Sequence, residues 1–311
     1  MPDECQPLRD QIAQLRDEVQ DLEAELRATT DLFEKRTIRA AIAMLGREIS
    51  RVQIELNECL RSYAVPIHAI QLANDDGGHA ADITLEQVSQ WVDKANEVYS
   101  VGRIRFLFDP NGPEFSRLNN TLINNMVDSR DPNWVEERDA ALAVAAGYRG
   151  KVVVFFRYGE QPGGGPTSEG FSGGDLNFVA MPGFGVTSVC GQQNIGLFAH
   201  EVGHYMDLSH TFRYAMDTIN DAEIIFGLLG NDPAAFDGDG LSDTPPDPFI
   251  SQLGCGSTTS VTLNGVLFTL PRNNIMSYWF SLDKTVTPQQ IARARQKLRD
   301  RATSEGLIIG G

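Results

Sequence analysis

Residues 197–210 read Leu-Phe-Ala-His-Glu-Val-Gly-His-Tyr-Met-Asp-Leu-Ser-His, and they constrain this chain more than any other stretch, holding three of its five histidines. His200 and His204 are four residues apart, so on a helix they stand on one face, one turn above the other, and both imidazoles reach one ion. Glu201, on the neighbouring stripe, is placed to take a proton from water activated there rather than to ligate. The spacing therefore predicts a helix carrying a hydrolytic metal site.

His210 follows His204 by six residues, too far round a helix to join the pair unless the chain turns sharply first. In this the chain resembles the metzincin metallopeptidases, whose H-E-x-x-H-x-x-G-x-x-H motif ends its helix at the glycine and brings in the third histidine. Asp207 stands where that family has glycine. The left-handed conformation required there costs aspartate roughly 1 kcal/mol, less than most residues with a Cβ. Asn273-Asn274-Ile275-Met276-Ser277-Tyr278 resembles the Met-turn of the same family, with Met276 as a hydrophobic floor and Tyr278 where several members carry a tyrosine near the metal. His210-Thr211-Phe212, Asp243-Thr244-Pro245 and the Asn-x-Met-x-Tyr turn together resemble the pappalysins, over about Tyr63 to Arg299.

That resemblance implies an α/β (α+β) catalytic domain with a twisted mixed sheet and an active-site helix, which we expect to begin near Gln192. It implies zinc on His200, His204 and His210, with Glu201 as general base and Tyr278 assisting, and hydrolysis of a protein or peptide substrate beside basic side chains. It also implies an antiparallel edge strand that pairs with bound peptide, falling on Asn177, Phe178, Val179 and Ala180. A catalytically silent zinc-site protein, or one whose purpose is assembly, is the other reading of the same residues.

The first 62 residues follow a different period. Cys5, Leu8, Ile12, Leu15, Val19, Leu22 and Leu26 alternate spacings of three and four, as do Ile38, Ile42, Leu45, Ile49, Val52, Leu56 and Cys59, which is a coiled-coil seam in each case. The twelve residues from Leu26 to Ile38 break the heptad, and Asp31 with Glu34 can form a capping box for a second helix. Paired antiparallel, the seam residues sum to 64, placing Leu8 with Leu56, Ile12 with Val52, and Cys5 with Cys59 at the open end. Those two thiols either form a disulfide or fill a reduced apolar layer. We expect residues 1–62 to form an antiparallel helical hairpin, offering a surface for a protein partner or only a solvated appendage, and residues 63–311 to form the catalytic domain.

Between them and the metal motif, strand and helix alternate. Ala64–Leu72, Arg103–Phe108 and the apolar run Lys151–Phe156 read as strands, with helices from Thr84 to about Tyr99 and from Asn133 to Ala146. Gly163-Gly164-Gly165 lacks the Lys-Ser/Thr sequel of a phosphate cradle and reads as a loop. His68 and His79 have no neighbours at ligand spacing. Downstream, Asp237, Asp239 and Asp243 lie in a glycine-containing turn that suits calcium or is an ordinary Asx-rich turn. Cys190 and Cys255 flank the motif, and a bridge between them would staple its two sides. Thr287, Pro288 and Gln290 begin a terminal helix.

The formal charge of −16 over 311 residues argues against a nucleic-acid partner, whose phosphates would be repelled. No apolar run reaches the eighteen residues of a membrane span. Met-Pro-Asp-Glu-Cys is not an ordinary secretory signal, so export would need another route; we expect an extracellular or exported protein in preference to a cytoplasmic one.

Overall fold

The structure, a computed structural model, describes residues 5–129, 131–161, 165–184 and 188–307. The expectation for Gly163 and Gly164 lies outside them. The chain divides into two compact units, Met1–Ser62 and Tyr63–Gly311.

In the first unit, α1 (Gln6–Ala28) and α2 (Leu32–Leu60) run antiparallel and are joined by a disulfide between Cys5 and Cys59. Every seam residue is buried or half-buried, whereas Leu32 and Phe33 at the turn are exposed. The period of the sequence thus survives as a packed seam, because in a two-helix unit only one stripe of each helix can leave water. Asp31 caps α2 by accepting from the amides of Phe33 and Glu34. The expected box does not close, since Glu34 accepts from the Thr29 hydroxyl instead.

The second unit is a three-layer α/β domain. In chain order it contains β1 (Tyr63–Ala73), α3 (Leu85–Tyr99), β2 (Ile104–Leu107), β3 (Phe115–Asn119), α4 (Thr121–Asn125), α5 (Trp134–Ala145) and β4 (Val152–Arg157). Next come the short pair β5 (Glu160–Gln161) and β6 (Gly165–Pro166), then β7 (Phe178–Pro182), and the small hairpin β8 (Ser188–Val189) and β9 (Gln192–Gln193). It ends with α6 (Leu197–Tyr205), α7 (Ile219–Leu228), the hairpin β10 (Ser260–Leu263) and β11 (Val266–Thr269), and α8 (Pro288–Ser304).

The main sheet has the order β2-β1-β4-β7, with β3 also on β1, and every pairing is parallel. A parallel sheet is covered on both faces, and all six residues of β4 are buried. Val152, Val154 and Phe156 face a core shared with Trp91, Phe198, Val202 and Leu298, while Val153 and Phe155 face one with Ile123 and Ala141. A third apolar cluster, around Phe226, Phe236, Phe268 and Trp279, lies under α7 and the β10–β11 hairpin.

Two expectations need correction. The sheet is not mixed, and Phe178, Val179 and Ala180 do not form an antiparallel edge, since β7 pairs in parallel with β4. The antiparallel contact comes one segment earlier, where Phe171 bridges Ala180 through two backbone hydrogen bonds of 2.9 Å. β7 is the end strand of the sheet, as expected, but Val179 and Ala180 are buried and Ala180 lies between Phe155 and Phe171. Asn177 lies just before the strand, and residues 168–170 precede the bridging Phe171. The helix bearing His200 and His204 begins at Leu197 rather than near Gln192, because Gln192 and Gln193 pair back on Ser188 and Val189.

Candidate metal centre

Helix α6 carries His200 and His204 on one face, with Nε2 atoms 3.1 Å apart. It stops at Met206 by a Schellman motif: the Asp207 amide donates to the His204 carbonyl and the Leu208 amide to the Gly203 carbonyl, both at 2.9 Å,. That motif needs a left-handed residue, and Asp207 supplies it at φ 66°. The turn delivers His210, whose Nε2 lies 3.2 Å from that of His200 and 3.0 Å from that of His204. Among the described residues, these three form the group of side chains that can share a metal ion.

The ring orientations are set from behind. His200 Nδ1 donates to the Ile275 carbonyl and His204 Nδ1 to the Leu208 carbonyl, both at 2.7 Å. With Nδ1 protonated, each Nε2 presents a bare lone pair to the centre. Burial is the first cause lowering all three pKa values, with the neighbouring histidines adding at His200 and His210, the latter brought to about 3. Two unprotonated nitrogens 3.1 Å apart repel, and a proton on His210 could serve only one of them. A cation serves all three. Tetrahedral zinc with Zn–N of about 2.0–2.1 Å sets its ligand atoms about 3.3–3.4 Å apart, so the donor set fits zinc to within a few tenths of an ångström.

Glu201, on the same helix, is 4 % exposed, and its Oε2 has no hydrogen-bond partner among the described residues. Burial pushes its pKa up to about 8, opposed by Arg157 and reinforced by Glu169. Gly170 lets the backbone approach this carboxyl, since a Cβ there would stand 2.7 Å from Glu201 Cγ. Beneath the helix, a Cβ on Gly203 would stand 2.5 Å from Met276 Sδ, and Met276 is fully buried. The ring of His210 stacks on Phe212 at 4.8 Å and meets Tyr278 edge-on at 4.7 Å. A cavity of about 570 Å³, lined by Ser168, Gly170, Glu201, Phe249, Tyr278 and Phe280 among others, opens beside the centre.

The remaining expected site residues do other work. Asp237 accepts from the Gly240 amide, Asp239 from the Leu241 amide and Gln290, and Asp243 from the Thr287 hydroxyl and Gln289 amide. Their carboxylates accept hydrogen bonds in turns and at the start of α8, and among the described residues the group of side chains that could hold an ion does not include them. Cys190 and Cys255 are bridged, joining the β8–β9 hairpin beside the cavity to residues after Leu253. His68 and His79 stack on Tyr148 and Tyr158, away from the centre. Sequence reasoning missed Asp247 and Arg157, whose partners lie some thirty residues along the chain, Lys284, whose acceptors are backbone carbonyls, and Phe212. Phe212, two residues beyond His210, was within a quoted motif and could have been read as its stacking partner.

No family model and no curated protein matches the chain. Among solved structures, metalloproteinase-II from Bacteroides fragilis aligns over 76 % of this chain and 55 % of its own, with 9 % identity and a TM-score of 0.34. The chain thus spans about half the length of that structure, and so slight a likeness carries no argument.

Proposed function

We propose that the chain is a zinc-dependent endopeptidase, and that His200, His204 and His210 hold the ion. One observation carries this reading: the imidazole nitrogens of buried His200 and half-buried His204 and His210, at least two of them bare, meet within 3.2 Å beside the buried Glu201, whose Oε2 has no hydrogen-bond partner among the described residues. When bound, the ion supplies a Lewis acid and makes a water acidic enough to attack near neutral pH. Glu201 accepts the proton of that water and passes it to the leaving amine. Tyr278 donates its hydroxyl toward the carbonyl oxygen as charge develops there. Residues 168–170, outside Phe171, offer backbone groups along which an extended peptide can lie as an added strand.

Within this reading the metzincin class, and the pappalysins inside it, remain our proposal. The H-E-x-x-H motif, the Schellman turn at Asp207 and Met276 below the helix support it. Two disulfides favour an oxidising compartment, hence export,. A peptide library digested by the zinc-loaded protein tests the activity, with Glu201→Gln as control. We expect cleavage by the parent and a loss of about 10²–10⁴-fold in the variant with zinc retained. Equal turnover in the variant would remove Glu201 from the mechanism, and an inert parent that binds zinc would favour the silent binding protein.

A further inference from the structure

Residues 272–279 meet the metal centre at His200 and at His210 while lying outside every named helix and strand. The Ile275 carbonyl accepts from His200, and the Met276 carbonyl accepts from the amide of Thr211, the residue after His210, at 3.1 Å. Tyr278 stands against the His210 ring. Beyond one isolated bridge between Asn274 and Thr285 the segment has no strand ladder, and two charges, buried Asp247 and half-buried Lys284, restrain it further.

Lys284 Nζ lies within hydrogen-bond distance of four carbonyls of this segment: Arg272 at 3.1 Å, Asn274 at 3.0 Å, Ser277 at 3.2 Å and Trp279 at 2.6 Å. Four carbonyl oxygens turned to one point call for a cation, and the chain supplies its own ammonium. Asp247, with no exposed surface, accepts from the Thr211 hydroxyl at 2.5 Å, the Ser277 hydroxyl at 3.3 Å and the Trp279 indole at 2.7 Å. Its carboxylate thus joins the residue after His210 to both neighbours of Tyr278. The two charges attract each other, each opposing the effect of burial on its partner.

On the metal reading above, we propose that Asp247 and Lys284 are positioning residues: Lys284 gathers the carbonyls of residues 272–279, and Asp247 ties that segment to the turn bearing His210. Together they aim the third ligand and Tyr278, acting through the side chains they hold. Outer partners of this kind typically change metal affinity by about 10–100-fold when removed.

The test uses the full chain with Lys284→Met, which keeps length and loses charge, and Asp247→Asn, which keeps shape and loses charge. Zinc affinity is measured by competition with a chelating dye, coordination by the visible spectrum of the cobalt-loaded protein, and folding by apo-protein melting. We expect zinc affinity to fall about 10–100-fold in each and the cobalt spectrum to change. The double variant should lose no more than the worse single, since both act on one segment. If the parent binds zinc and the variants melt earlier with affinity and spectrum unchanged, the pair is mere packing and the positioning role is overturned. A parent that binds no zinc overturns the metal reading itself. Should Lys284→Met not fold, Asp247→Asn decides, and failure of both to fold also overturns the positioning role.

Discussion

Asp207 offers the sharpest test of how the third histidine is delivered. Its side chain is exposed, so replacement removes little packing, and the change falls on the backbone at φ 66°. A left-handed residue with a Cβ costs roughly 1–2 kcal/mol, aspartate less, and a β-branched residue the most. Asp207→Val should therefore add about 1–2 kcal/mol of strain, which relaxes if the turn opens and His210 leaves the centre. Because about 1.4 kcal/mol is a tenfold change in an equilibrium, zinc affinity should fall about 5–30-fold. Asp207→Gly removes the strain but gives the unfolded chain more freedom, so its stability should change by less than about 1 kcal/mol, with zinc affinity preserved. Dye-competition titrations and melting curves of the three proteins measure both quantities. If valine matched aspartate in both, the left-handed turn would not govern the position of His210.

Three further outcomes follow from the geometry. Gly170→Ala places a methyl 2.7 Å from Glu201 Cγ. Turnover should fall about 10²-fold, as for an ångström-scale misplacement, while zinc stoichiometry holds, and normal turnover would show the approach to be unimportant. Replacing Cys5 and Cys59 by serine opens a cross-link with a sequence separation of 54, which the chain-entropy estimate puts at up to about 4 kcal/mol. Urea unfolding followed by helical circular dichroism should show an earlier transition, and an unmoved curve would contradict this. A calcium-selective chelator should leave the melting temperature of the zinc-loaded protein unchanged, whereas a marked fall would restore a calcium role to Asp237, Asp239 and Asp243.

What was legible in the sequence was what depends on local period. The seam residues of the hairpin repeat every three or four positions, and each ends buried or half-buried. His200 and His204 meet because four residues make about one helical turn. Parallel pairing of β7 was not legible, since a short apolar run such as Phe178–Pro182 suits either direction and the partner strand decides. Asp243 has the composition of a cation turn, yet its partners Thr287 and Gln289 lie more than forty residues away. Lys284 is hidden more deeply still, because its acceptors are backbone carbonyls, which every residue has. The start of α6 was misplaced for a related reason: Gln192 and Gln193 carry no strand signal and pair only because Ser188 and Val189 lie opposite.

The most direct measurement is metal content after dialysis against trace zinc, for the parent and for His210→Ala. We predict one tightly held zinc per parent chain and a markedly weaker site in the variant. A parent chain that retains no zinc, or a variant that holds it as firmly, would contradict a centre built on three converging imidazoles.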